Sequence, residues 1–101
     1  MNNNTLNEIY TLLRDIGAVN NESDFSREWL NRSEGYMRML RFKGITASVE
    51  CIAILSSKLR HYGSRMRETK QHKRLGERFI QLSDDCSKSI NESALNKWIA
   101  A

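Results

Sequence analysis

Basic side chains are concentrated in the middle of this 101-residue chain. Residues 36–75 contain ten Lys and Arg against two acidic residues, a net charge of +8, whereas residues 1–35 carry −3 and residues 76–101 carry −1. Because neutralising phosphates supplies much of the affinity for nucleic acids, a contiguous basic block indicates a polyanion-binding surface. A solvated surface rich in Lys and Arg fits the charge equally well. The ten residues are Arg38, Arg41, Lys43, Lys58, Arg60, Arg65, Arg67, Lys70, Lys73 and Arg74.

The other reactive side chains form no recognisable catalytic or metal-binding set. Cys51, His61, His72 and Cys86 are separated by ten, eleven and fourteen residues, which matches no structural zinc pattern. The aspartate pair at 84–85 is typical of a solvated helix face, and the five glycines are scattered rather than gathered in a phosphate-binding loop. We therefore expect no enzyme activity, no metal and no cofactor. Both cysteines are expected to be buried free thiols.

The composition is that of an ordinary globular helical chain. Apolar residues make up 40% and charged residues 28%, and there is no proline to interrupt a helix. The longest uncharged apolar run, residues 51–55, is far too short to cross a bilayer, and no basic-then-apolar leader follows Met1. These features predict one all-α domain, residues 1–101, located in the cytoplasm and without membrane contact.

Apolar residues at helical spacing, bounded by capping residues, predict five or six helices. Thr5 begins a capping box and a first helix that ends at Gly17. Ser23 is expected to cap a short second helix. After a turn of about three residues, Ser33 is expected to cap a third helix, which ends at Gly44.

The second half of the chain predicts longer helices. A fourth begins at Thr46 or Ser48 and stops at Gly63. The polar stretch 65–74 fits either a solvated helix or a loop. An amphipathic helix over about 73–91 follows, and Ser93 is expected to cap a short last helix.

One third of the chain has a distinctive pattern of apolar and capping residues. It consists of Phe25-Ser26-x-x-Trp29-Leu30-Asn31-Arg32-Ser33, Tyr36-Met37-x-x-Leu40, Gly44 and Ser48-Val49-x-x-Ile52. This segment, residues 23–59, resembles the helix-turn-helix of the lambda-repressor-like (Cro/C1-type) DNA-binding domains. It departs from them at Arg27, where they have a small residue, and at Arg32, where they have an apolar one. The length and layout are also similar to a group of roughly hundred-residue bacterial proteins of unknown function.

The resemblance implies a helix-turn-helix core over about 5–62, with Asn31 in the turn and residues 33–43 as the recognition helix. Arginine on such a helix is the side chain best shaped to bond guanine O6 and N7 in the major groove. The basic block 58–74 would hold phosphates. The residues expected to bind DNA are Arg32, Ser33, Glu34, Gly35, Arg38, Arg41, Lys43, Arg65, Arg67 and Lys70.

The amphipathic helix 73–91 carries a near-heptad apolar seam formed by Leu75, Phe79, Leu82 and Cys86. This seam either packs on the preceding helices or pairs with a second copy. Since helix-turn-helix proteins commonly bind DNA as two-fold dimers, we expect a homodimer held in part by these four residues.

These features predict a small protein that binds double-stranded DNA, as a transcriptional regulator does. The alternative is a helical adaptor or inhibitor whose basic surface docks an acidic protein partner. Basic residues gathered on a face as wide as a duplex favour DNA, and scattered ones favour the adaptor.

Overall fold

The computed structural model describes residues 1–100, and these fold into five α-helices without a strand. The predicted all-α class is confirmed. The predicted sixth helix is not separate, because α5 continues through Ser93 without a break. No helix in the described part of the chain combines the length and the apolarity needed to cross a membrane. The helices are α1 (Asn3–Asp15), α2 (Glu22–Glu28), α3 (Tyr36–Lys43), α4 (Val49–Met66) and α5 (Lys73–Ala100).

The chain divides into two compact units, and the boundary lies inside α4. The N-terminal unit comprises residues 1–54 and the C-terminal unit begins at Leu55. A single domain over 1–101 was expected from the sequence, with a helix-turn-helix core over about 5–62. The division assigns 5–54 of that core to the N-terminal unit.

Asparagines, rather than the predicted Thr and Ser, cap the first two helices. The side chain of Asn2 accepts a hydrogen bond from the Thr5 N–H at 3.0 Å, so α1 begins before Thr5. Asn21 accepts from the Asp24 N–H at 2.9 Å and caps α2 in place of Ser23. Asn is as good an N-cap as Ser or Thr, so residue type alone does not choose between neighbouring candidates.

The segment between α2 and α3 is longer than the predicted turn. It comprises residues 29–35, against three or four residues in a typical helix-turn-helix. Asn31 has the expected positive φ, 54°, but Ser33 does not cap α3. Its carbonyl instead accepts from the Tyr36 N–H at 3.1 Å in a turn, and Gly35 precedes the helix without a side-chain cap. The expected recognition helix 33–43 is therefore shortened to Tyr36–Lys43.

Ser48, one of the two predicted candidates, caps α4 by accepting from the Cys51 N–H at 3.2 Å. Gly63 does not end this helix, which continues to Met66. Instead, Gly63 is where α4 meets α5. A Cβ at Gly63 would lie 2.8 Å from Phe79 Cβ and 2.9 Å from the Gly76 carbonyl oxygen. The glycine therefore serves packing between helices, not helix termination.

Each of the two units contains buried apolar residues. In the N-terminal unit Trp29 and Leu40 are buried, and the ring centroids of Tyr10 and Phe25 lie 5.5 Å apart. The buried residues of this unit are Leu6, Ile9, Leu13, Val19, Phe25, Trp29, Leu30, Tyr36, Met37, Leu40, Cys51 and Ile52. Those of the C-terminal unit are Leu55, Leu59, Phe79, Leu82 and Cys86.

Two buried serines join α4 to α5 within the C-terminal unit. Ser56 Oγ donates to the Ser83 carbonyl at 3.0 Å, and Ser83 Oγ donates to the Ser56 carbonyl at 2.8 Å. Because buried hydroxyls without partners destabilise a fold, this reciprocal pair fixes how the two helices align.

Candidate nucleic-acid interface

Helix α3 has one buried side and one exposed side. Tyr36, Met37 and Leu40 are buried. At 100° per residue, the centre of the opposite side lies at Arg38 and Phe42, one helical turn apart. Phe42 is 91% exposed, the highest value among the large apolar residues of the described chain. The helix contains three basic residues and no acidic one.

Arg41 was expected to face outward beside Arg38, but its guanidinium already holds a carboxylate. Its Nη1 and Nη2 atoms donate to the two Glu22 carboxylate oxygens at 2.8 and 2.9 Å. This paired hydrogen bonding with Glu22 raises the pKa of Arg41 above its ordinary value. The ion pair joins α3 to the start of α2, so Arg41 has a positioning role in the free protein.

Arg38 and Lys43 are the basic residues of α3 that have no acidic partner within residues 1–100. Both are exposed, and neither side chain forms an ion pair there. Arg38 lies at the centre of the exposed side, whereas Lys43 ends the helix just before Gly44, whose φ is 63°. Of the predicted base-reading arginines, only Arg38 is therefore unoccupied.

Arg32, a predicted DNA contact, is used inside the N-terminal unit. Its Nη2 donates to Ser48 Oγ at 2.9 Å and lies 3.8 Å from a Glu50 carboxylate oxygen. Its guanidinium carbon lies 5.6 Å from the centroid of the Tyr36 ring, whose hydroxyl accepts from the Ser48 N–H. The residue thus ties the start of α4 to α3.

The three remaining predicted residues of this region lie in the turn before α3. Ser33 and Glu34 are exposed, and Gly35 is partly buried. Glu34 Oε1 lies 3.8 Å from Nε of Arg27, an arginine that also pairs with Asp24. None of the three belongs to α3 itself, which limits what they can contribute to reading by that helix.

The sequence left open whether the polar stretch 65–74 is a solvated helix or a loop. In the structure residues 67–72 form turns between α4 and α5. The Glu68 N–H donates to the Arg65 carbonyl, and the Thr69 N–H donates to the Met66 carbonyl, both at 3.2 Å. We call the basic residues in and beside these turns the turn cluster. It comprises Arg65, Arg67, Lys70, Lys73 and Arg74.

All five residues of the turn cluster are exposed, and none forms an ion pair in the described part of the chain. Lys73 and Arg74 occupy the first turn of α5, which contains no acidic residue. The positive end of a helix dipole disfavours cations, so this placement weakens the helix unless an anion is bound. The nearby Arg60, by contrast, is paired with Asp84 within the C-terminal unit.

The four residues predicted for a dimer interface are largely internal. Phe79, Leu82 and Cys86 are at most 2% exposed in the single chain, and Leu75 is partly buried. A second copy could reach the first three only by displacing what covers them. The homodimer therefore stays a prediction, and Phe79, Leu82 and Cys86 belong to the core of the C-terminal unit.

Neither cysteine has the properties of a nucleophile. Cys51 and Cys86 are free and buried, as predicted. Burial raises the pKa of Cys51, and burial together with the charge of Asp85 raises the pKa of Cys86 to about 12. No three His, Cys, Asp or Glu residues are grouped so that they could hold a metal ion within residues 1–100.

Phe42 is the residue of this surface that the sequence analysis missed. The signal was present, because Tyr36 and Leu40 define the buried side of α3 and Phe42 falls opposite to it. The expected DNA contacts on this helix were its basic residues, so Phe42 was assigned no role.

Comparison with curated proteins and with solved structures gives no match for this chain. Residues 6–99 match a family model whose description is "Family of unknown function (DUF6626)". Because this match covers nearly the whole chain, the protein belongs to that family.

Proposed function

We propose that the chain is a small DNA-binding protein that acts as a transcriptional regulator, reading the major groove with α3 and holding phosphates with the turn cluster. The observation that carries the proposal is the exposed side of α3. It presents Arg38 at its centre, the exposed Lys43 ends the same helix, and this helix has no acidic residue to repel phosphates. Arg38 is the residue that we assign to guanine.

The dimensions of α3 support this assignment. With its side chains an α-helix is about 10–12 Å across, which fits a major groove about 12 Å wide. Helix α2 packs beside α3, and the Arg41–Glu22 pair joins them. Such a held pair of short helices is what a reading helix needs in order to enter a groove at a fixed angle.

The turn cluster supports the phosphate-holding part of the proposal. Residues 65–74 contain five exposed basic residues and one acidic residue, Glu68. Unpaired surface cations cost a protein self-repulsion, which phosphate binding relieves by releasing the counterions of the nucleic acid.

The test is a fluorescence-anisotropy titration of wild-type protein on labelled duplex DNA at two salt concentrations. We expect binding at low salt that weakens as salt increases. Lys70→Ala should reduce the slope of log K against log salt by about one unit. The control, Lys88→Ala, removes the same charge from α5 outside the turn cluster and should leave the slope unchanged. Failure of the wild type to bind duplex at low salt would contradict the proposal.

One observation favours the alternative, a protein–protein adaptor. Leu95, Trp98 and Ile99, near the end of α5, are 39%, 67% and 64% exposed at a spacing typical of helix-in-groove anchors. If this function is correct, Trp98→Ala abolishes association with an acidic partner protein, while duplex DNA is not bound. Light scattering of the wild type at high micromolar concentration tests the homodimer separately, since a monomer there contradicts it.

A further inference from the structure

Resting on the proposed DNA binding, we infer that Phe42 contacts the 5-methyl group of a thymine close to the guanine bound by Arg38. This contact makes Phe42 a specificity-determining residue.

The exposure of Phe42 has no explanation in the fold. The side chain is 91% exposed, whereas the aromatic residues Phe25, Trp29 and Tyr36 of the same unit are at most 9% exposed. Removing a phenyl ring from water is favourable, so a partner that covers Phe42 gains binding free energy.

The chemistry around the ring favours the major groove over an apolar protein groove. Phe42 lies one turn from Arg38 and next to Lys43, and both cations lack an acidic partner in the described chain. A partner that covers the ring therefore also meets the positive charge of Arg38 on the same side of the helix, with Lys43 close by in the sequence. In a major groove, phosphates and guanine accept the charges, and the thymine methyl is the apolar group that base edges present.

The spacing along α3 sets the distance between the two contacts. Arg38 and Phe42 are four residues apart, a rise of about 6 Å along the helix axis. Base pairs are stacked about 3.4 Å apart. The guanine and the thymine should therefore be separated by about two base-pair steps.

The test begins with selection of the tightest-binding duplex from a random pool by the wild-type protein. That duplex is then remade with uracil replacing one thymine at a time, which removes a methyl group and leaves charge and hydrogen-bonding groups unchanged. We expect one or two positions at which uracil weakens wild-type binding about fourfold, the value of one buried methyl group. Phe42→Ala should bind thymine and uracil duplexes equally at those positions, and Phe42→Leu should retain part of the difference.

Trp98→Ala is the matched control, because it removes another exposed aromatic side chain and should keep the full thymine preference. If the wild type binds duplex without any thymine preference, or if Phe42→Ala keeps that preference, the inference on Phe42 is overturned while DNA binding stands. If the wild type binds no duplex at all, the proposed function fails and the inference fails with it.

Discussion

The two units use their basic side chains differently. In the N-terminal unit four of six basic residues form ion pairs: Arg14 with Asp15, Arg27 with Asp24, Arg32 with Glu50 and Arg41 with Glu22. In the C-terminal unit the five residues of the turn cluster form none within the described chain, although Arg60 pairs with Asp84.

The paired arginines of the N-terminal unit position helices, whereas the unpaired cations of the turn cluster are available to a binding partner. Arg41 joins α3 to Glu22 of α2 through hydrogen bonds at 2.8 and 2.9 Å. Arg32 lies over the ring of Tyr36 in α3 and donates to Ser48 at 2.9 Å, so both arginines help to position α3. The side chains of the turn cluster, in contrast, join no helices through ion pairs within residues 1–100. A helix fixed in position, with few unpaired charged side chains, suits sequence-specific contacts to bases. A cluster of unpaired cations suits contacts to phosphates, which do not depend on the base sequence.

The largest expected effect concerns the two tryptophans, one in each unit. Trp29→Ala should lower the free energy of unfolding by about 3–5 kcal/mol, because the side chain is 8% exposed and its removal leaves a cavity. Trp98→Ala, whose side chain is 67% exposed, should change it by less than about 0.5 kcal/mol. Urea denaturation measures both. Equal values for the two variants would mean that Trp29 does not belong to the core of the N-terminal unit.

A smaller effect is expected from the glycines. Gly76→Ala would place a Cβ 2.7 Å from the Gly63 carbonyl oxygen and 2.8 Å from the Arg67 nitrogen, both backbone atoms. The resulting shift should cost about 1–3 kcal/mol, more than the helix propensity that alanine adds. For Gly35→Ala the nearest atom is Arg38 Nη2 at 3.5 Å, an ordinary contact. Thermal denaturation should show a clear loss for the first variant and almost none for the second.

The smallest effect sharpens the charge comparison directly. Glu22→Gln removes the carboxylate held by Arg41 and makes that guanidinium available to a phosphate. The salt slope of duplex binding should increase by about one unit, while the thermal midpoint changes little because the pair is exposed. Glu92→Gln on α5 removes the same charge without releasing an arginine, so its slope should equal that of the wild type. Equal salt slopes for Glu22→Gln and Glu92→Gln would contradict the conclusion that Glu22 keeps Arg41 from binding a phosphate.

The sequence was sufficient for the fold class and for most of the buried residues. The spacing of Tyr36 and Leu40 identifies the buried side of α3, and Asn31 has the positive φ that its residue type favours. Helix ends were less predictable. Gly63 carries the signal of a helix stop, yet it lies inside α4, where contact with Gly76 requires a residue without a side chain.

The candidate site was harder to predict than the fold, because local patterns do not show which charges are paired. Glu22 and Arg41 are nineteen residues apart, and only the packing of α2 beside α3 brings them together. Arg32 and Ser48, which also form a hydrogen bond, are sixteen residues apart in the sequence. A sequence pattern locates a basic residue on a helix face but does not show whether a distant carboxylate or hydroxyl already occupies it.

The central claim is that α3 contacts bases while the turn cluster contacts phosphates. The most direct test is the ratio of the affinities for the selected duplex and for a random duplex. Arg38→Ala should weaken binding to the selected duplex by about 1–3 kcal/mol, change binding to the random duplex much less, and so lower the ratio. Lys70→Ala should weaken both equally and leave the ratio unchanged. If the two variants change the ratio alike, the two regions do not have separate roles.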